Sequence, residues 1–272
     1  MRVRPAHRWG TIVGMIHTAV VTGANQGIGA ATAKALAQQG INVLITFLRY
    51  QPDPDPSTPE AYFTSRNSGA DEVVEIITAL GGRAHAVEAD LARPETAAQL
   101  FDEAERVFGP VDVLINNASG WVQDTFLTED TDQLGRALRP VTSSSFDAQF
   151  AVDARATALL IAEFARRHIA RGGNWGRIVS LTSGGPQGFP SEVSYGAAKA
   201  ALENYAMSAG AELLSHGITS NVVHPPVTDT GWISDEVRSR FSVAEAGEVA
   251  DVIAFLCSDA AQRVTRNVLR MA

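Results

Sequence analysis

The 272-residue chain carries one cysteine, Cys257, so an intrachain disulfide and a cysteine-cluster zinc site are both excluded. Long apolar runs are missing too. Nothing approaches the roughly 18–20 residues of a membrane-spanning helix. The apolar part of the N-terminus, Thr11 to Ile16, is shorter than a secretory core of about 7–15 residues. Positive charge is in the minority, with 22 Lys+Arg against 30 Asp+Glu and a formal net charge of −8. Nucleic acid and anionic membranes call for clustered cations, so neither is an expected partner. The histidines are scattered without metal-ligand spacing, and no metal site is expected. A single thiol and no export signal make the cytoplasm the expected compartment.

What is present is an ordinary globular composition, 45% hydrophobic and 19% charged, in a chain long enough to bury a sizeable core. Residues 1–15 read as an N-terminal extension, because Met15 directly precedes the first apolar run. From there the pattern alternates. Short, nearly continuous apolar runs predict strands at 16–22, 41–48, 83–88, 111–116, 177–181, 218–224 and 267–271. Between them, helices are predicted over 27–39, 69–80, 94–108, 146–171, 193–215 and 247–258. Four prolines between residues 51 and 68 mark a surface insertion with no assigned role. Strands joined by helical crossovers run parallel, and right-handed crossovers cover the sheet on both faces. The expected fold is therefore α/β: a single-domain, Rossmann-type doubly wound parallel sheet of about seven strands spanning residues 16–272. Such sheets bind ligands beyond the carboxyl ends of their strands, where the strand order reverses.

The first strand runs into Thr22-Gly23-Ala24-Asn25-Gln26-Gly27-Ile28-Gly29 and then directly into a helix. Glycines at 23, 27 and 29 allow a tight turn, close approach to a pyrophosphate, and packing of helix against strand. The helix N-terminus adds free N–H groups and a partial positive charge. Farther along, Tyr195 and Lys199 stand one helical turn apart. A phenol has a usual pKa of about 10, and proton exchange near neutrality requires about 4 kcal/mol of preferential phenolate stabilisation. A neighbouring ammonium can provide it. Ser183 ends the preceding strand and so lies at the same sheet edge, with Thr182 as its rival.

TGANQGIG at 22–29, Asp90-Leu91, NNAS at 116–119, GRIVSLTS at 176–183, Tyr195-Gly196-Ala197-Ala198-Lys199 and Asn221 through Pro225 together resemble the motifs of the short-chain dehydrogenase/reductase family. They occur in the family's order over nearly all of residues 16–271, and the 3-oxoacyl-carrier-protein-reductase-like group is the most similar subgroup. The resemblance implies hydride transfer between a nicotinamide and a carbonyl or secondary-alcohol substrate. It implies Tyr195 as general acid/base, Lys199 lowering its pKa, and Ser183 holding the substrate oxygen. Asp153 stands where the family's fourth catalytic residue is an Asn, and the carboxylate could compete for the charge of Lys199. The cofactor-binding set implied is Gly23, Asn25, Gln26, Gly27, Ile28, Gly29, Arg49, Asp90, Leu91, Asn117, Ala118, Tyr195, Lys199, Pro225, Thr228 and Thr230. Phe47 replaces the acidic residue that favours NAD, and Arg49 can pair with a 2′-phosphate. NADP(H) is thus the expected cofactor, with NAD(H) possible. Further departures are Pro226 and Arg266, each in place of a usual glycine. The resemblance also implies a homodimer or homotetramer paired through helices 146–171 and 193–215. The loop 225–246, with Trp232 and Ile233, is expected to close over substrate. Trp121, Phe126 and Phe189 are candidates to line a pocket or simply to pack. The alternative reading is a non-catalytic NADP(H)-binding regulator of the same fold.

Overall fold

The computed structural model describes residues 16–50, 59–185 and 187–272. The predicted extension at 1–15 and the first part of the insertion lie outside the described residues. Seven strands form one sheet: β1 (Thr18–Val21), β2 (Asn42–Phe47), β3 (Ala84–Glu88), β4 (Val113–Asn116), β5 (Gly176–Leu181), β6 (Ile218–His224) and β7 (Val268–Arg270). Every pairing is parallel, in the order β7-β6-β5-β4-β1-β2-β3. The order reverses between β1 and β4, which brings the ends of those two strands together at the switch point.

Alternation along each strand divides the core between the two faces. Ala19, Val21, Val43, Ile45, Val113 and Ile115 point to one side, where they pack with Ala33, Leu36, Ile253 and Leu256. Val20, Leu44, Leu114 and Ile178 point to the other, against Leu100, Phe101, Leu160 and Phe164. The first side is covered by helices α1 (Gly27–Gln38), α3 (Asp71–Ala79) and α9 (Ala246–Leu256). The second is covered by α4 (Thr96–Phe108), α6 (Thr157–Ala170) and α7 (Val193–Glu212). Cys257 is fully buried behind α9, and burial pushes its thiol up to about 12.

Two departures from the predicted elements bear on the site. The insertion contains a short helix, α2 (Glu60–Arg66), where the sequence suggested only irregular chain. The single helix predicted over 146–171 is three segments: α5 (Ser143–Phe150), a π-helical turn (Ala151–Ala156) and α6. The wide turn carries a buried Asp153, and Gln149 is buried just before it. Polar side chains inside a helix bundle need partners, and both find them at the sheet edge described below. A further helix, α8 (Asp235–Arg240), lies in the loop after β6 and is capped by Ser234.

Candidate active site

The chain leaves β1 into a turn that has no space for side chains. Gly23 has φ of +62° and Gly27 of +54°, a region that favours glycine. A Cβ at Gly23 would lie 2.9 Å from the Cα of Ala118, and one at Gly29 only 2.3 Å from the carbonyl oxygen of Gly23. Asn117, just past β4, clasps the turn by donating from Nδ2 to the carbonyls of Thr22 and Gly23, both at 2.9 Å. The Thr22 hydroxyl in turn accepts from the backbone N–H groups of Asn117 and Ala118 at 3.0 Å each. Gln26, which precedes α1, makes no side-chain cap, so the opening N–H groups of α1 are not consumed by it. Its Oε1 is buried without a hydrogen-bond partner. Glycine-walled space before an uncapped helix start fits a dinucleotide pyrophosphate.

Across the switch point, α7 begins at Val193, so Tyr195 sits in its first turn and Lys199 in its second. The helix start is tied down by Asp124, whose buried carboxylate accepts from the backbone N–H of Ser194 at 2.8 Å and suits the helix dipole there. Ser183 lies beside the phenol, and its hydrogen bond favours the phenolate. Thr182 donates to Glu203 Oε1 at 2.7 Å. Lys199 is 2% exposed. Its Nζ donates to the Leu181 carbonyl at 2.9 Å and lies 2.8 Å from Asp153 Oδ1. Asp153 is wholly buried, with Oδ2 accepting from Gln149 Nε2 at 2.5 Å, Gly120 N at 2.9 Å and Ser119 Oγ at 3.3 Å.

This arrangement changes the electrostatics expected from the Tyr–Lys pair alone. Burial, the largest influence, raises the Tyr195 pKa above its usual value; Lys199 pulls it down, while Asp153 and Glu192 push it up. Burial acts to depress Lys199, but Asp153 and the adjacent phenol raise it on balance. Lys199 is therefore a firmly held cation whose charge is answered by a carboxylate.

A second polar group borders the phenol. Glu192 is 5% exposed. It accepts from Trp121 Nε1 at 2.9 Å and pairs with Arg136 at 3.0 Å, and burial raises its pKa despite the guanidinium. Trp121 also meets Tyr62 of α2 edge to face, 6.0 Å between centroids. Phe189 leans on the Tyr195 ring at 5.8 Å. Phe126, by contrast, is 81% exposed and lies on the surface. Sequence reasoning missed Glu192, Arg136, Gln149 and Tyr62. For Gln149 a signal existed: it shares the i, i+4 face with Asp153.

Several predicted contacts have other employment in this structure. Asn25 donates to the carbonyls of Ser65 at 3.3 Å and Ser68 at 3.1 Å, tying the turn to the insertion. Asp90 Oδ1 accepts from Ala92 N at 2.9 Å, and Leu91 is buried against α4. Arg49, exposed after β2, pairs with Glu88 Oε2 at 2.6 Å. Ile28 packs on the core, Thr228 donates to the Pro226 carbonyl at 2.8 Å, and Thr230 faces Gly27 across the cleft. Pro225 accepts from His224 Nδ1 at 3.1 Å. Arg266 adopts φ of +60°, the conformation glycine would supply before β7. Among the described residues there is no cluster of three or more metal-ligating side chains, and no helix is long and apolar enough to cross a membrane.

Comparison with known proteins agrees with the geometry. Residues 60–271 match the family model described as Enoyl-(Acyl carrier protein) reductase, and residues 17–55 match short chain dehydrogenase. A 3-oxoacyl-[acyl-carrier-protein] reductase of Synechocystis is 32% identical over 251 residues, covering 89% of this chain and 90% of that protein. The angucycline C-6 ketoreductase LanV, solved with bound NADP, superposes with a TM-score of 0.76 at 30% identity, covering 93% of each chain. A short chain dehydrogenase from Burkholderia cenocepacia in complex with NADP gives a TM-score of 0.74 at 30% identity, covering 94% of this chain and 96% of that one. With a glycine-walled turn after its first strand and a Tyr-x-x-x-Lys helix after its fifth, the chain belongs to the short-chain dehydrogenase/reductase family of oxidoreductases.

Proposed function

We propose that residues 16–272 form one NADP(H)-dependent catalytic unit that interconverts a carbonyl compound and its secondary alcohol, with Tyr195 as general acid/base. The observation that carries this reading is the convergence of Tyr195, Lys199 and Ser183 at the carboxyl end of β5, in a sheet whose first strand runs into the Gly23–Gly29 turn. The turn and the α1 N-terminus would hold the pyrophosphate. Arg49 would read a 2′-phosphate, since its pairing with Glu88 is exposed and such pairs are weak, about 0–1 kcal/mol. Asn117, Asp90 and Thr228 act by shaping the walls rather than by offering free polar groups. When bound, a nicotinamide supplies the hydride chemistry.

The chain's own residues manage the oxygen and its proton. Ser183 presents a hydroxyl to the substrate oxygen beside the phenol. Tyr195 passes its O–H proton to that oxygen in reduction and accepts it back in oxidation. Lys199 steadies the phenolate left behind. Trp121, Phe189 and Tyr62 bring apolar ring surface to the same mouth, which suits a small carbonyl compound with flat or alicyclic parts. The NADP found with LanV and with the Burkholderia protein supports the cofactor, and the ketoreductase supports the reaction class.

The test is reduced-nicotinamide absorbance with a panel of ketones and secondary alcohols. Turnover that falls at least 100-fold in Tyr195→Phe, with NADPH binding retained, is the expected outcome. Tight NADPH binding with no turnover across the panel would instead favour a regulatory protein. We extend the proposal to a homodimer or homotetramer. The exposed Phe146 and Tyr205 border a surface hollow of about 1170 Å³ with Phe150, Ala154 and Leu159, along the helices expected to pair.

A further inference from the structure

The Asp153–Lys199 contact has a consequence for the proton on the Tyr195 phenol. Lys199 Nζ donates to the Leu181 carbonyl and lies 2.8 Å from Asp153 Oδ1. The two attract as opposite charges, between side chains that are 3% and 0% exposed. At such burial an ion pair is held without competing water, and removing one partner strands the other. Asp153 cannot swing away, because three further donors fix its second oxygen: Gln149, Gly120 and Ser119. Gln149 is itself locked, since its Oε1 accepts from Val122 N at 2.8 Å.

The charges facing Tyr195 from all packed elements are therefore these. Lys199 on its own helix is positive, Asp153 from the π-helical turn is negative, and Glu192 before α7 is negative but paired with Arg136. Glu203, farther along α7, is turned toward Thr182. The sum of the inner pair is zero. A phenol next to a lone ammonium has one positive charge to stabilise its anion; this one has a neutral pair.

We propose that Asp153 is a positioning residue that clamps Lys199 and cancels its charge, so that Tyr195 stays protonated through neutral pH. The inference rests on the function proposed above and assigns the resting protonation state of its acid/base. In the reductive step the O–H bond of Tyr195 breaks and its proton goes to the carbonyl oxygen as the carbonyl carbon takes up hydride from the reduced nicotinamide. A phenol that keeps its proton is ready for that step. The reverse step needs the phenolate, which the neutral pair supports poorly.

The decisive variant is Asp153→Asn, close in shape and uncharged. Two readouts separate the inference from the function it rests on. The first needs no substrate: titration of tyrosinate absorbance near 295 nm, taking the difference between each protein and its Tyr195→Phe counterpart. The chain has only four tyrosines, so one ionisation is resolvable. Asp153→Asn should move the Tyr195 ionisation to lower pH. The second is the pH profile of secondary-alcohol oxidation by NADP⁺, whose rising limb should move about one pH unit lower, the equivalent of one pKa unit. An unmoved ionisation with an unmoved pH profile overturns the proposal. So does a wild-type Tyr195 that ionises below the other three tyrosines, a measurement that stands even if the variant does not fold. A shifted ionisation in a protein that turns over nothing would refute the oxidoreductase reading while leaving the charge clamp supported.

Discussion

Gly29→Ala puts the phosphate turn under a direct physical test. The added methyl would lie 2.3 Å from the Gly23 carbonyl oxygen, 2.5 Å from Asn117 Nδ2 and 2.9 Å from Ala24 Cα. Two of those three atoms are backbone, so they cannot move without distorting the turn. The third belongs to the clasp that holds it. Overpacking of this kind costs about 1–3 kcal/mol. Displacing Asn117 from its two carbonyls adds about 1 kcal/mol per hydrogen bond. Allowing for partial relaxation, about 3 kcal/mol is expected, which corresponds to a fall in Tm of about 6–12 °C for a chain of this size. The turn is also the proposed pyrophosphate seat, so the Kd for NADPH should rise about 10–100-fold, or about 1.4–2.8 kcal/mol. Gly247→Ala is the control. Its Cβ meets nothing within 4 Å, and it lies in the first turn of α9. It should hold or raise Tm by a few degrees and leave cofactor affinity unchanged. Thermal melts and fluorescence titration with NADPH measure both quantities. A Gly29→Ala protein that melts with wild type and binds NADPH equally well would refute the steric argument.

Arg49 and Glu88 form an exposed pair whose members pull opposite ways on a 2′-phosphate. Arg49→Ala should weaken NADPH about tenfold relative to NADH, and Glu88→Gln should shift the ratio toward NADPH; unchanged Kd ratios in both would remove Arg49 from the cofactor site. Arg266 holds a left-handed φ of +60°, which costs a non-glycine residue about 1–2 kcal/mol. Its side chain also packs toward Gly210. Arg266→Gly loses that packing and relieves the backbone, whereas Arg266→Ala only loses packing, so the glycine variant should melt above the alanine one by about 2–8 °C. Equal melting temperatures would show that the backbone there is unstrained.

Much of the architecture could be read directly from residue order. All seven strands fall where short apolar runs were bounded by turns, because a strand covered on both faces admits few polar residues. The glycine turn and the Tyr195–Lys199 pair were legible because both are local: their geometry is set within a few residues of chain. The charge clamp was legible only through the family resemblance, which set Asp153 where an Asn is usual and so raised its competition for the Lys199 charge. Asp153 and Lys199 are 46 positions apart in the sequence, and their 2.8 Å contact depends on a π-helical turn that no proline or glycine announces. The clasp that Asn117 makes on the Thr22 and Gly23 carbonyls was hidden too, since backbone acceptors left open by a tight turn carry no sequence signature. The insertion's helix α2 was hidden behind prolines that describe only its approach. Glu192 stood three residues before Tyr195 and still gave no sign, since its partners Trp121 and Arg136 come from a distant irregular loop.

The wide turn at Ala151–Ala156 carries one lesson for anyone editing this protein. A π-helical turn holds a surplus residue within an otherwise regular screw. Deleting one position there other than Asp153 would let the two flanking helices fuse into even winding. Yet each residue of an α-helix advances about 100° around the axis. The upstream half would rotate by that amount, and the carboxylate would leave the ammonium it now faces. The aim of this side chain is stored in how many residues the helix counts as much as in which ones they are.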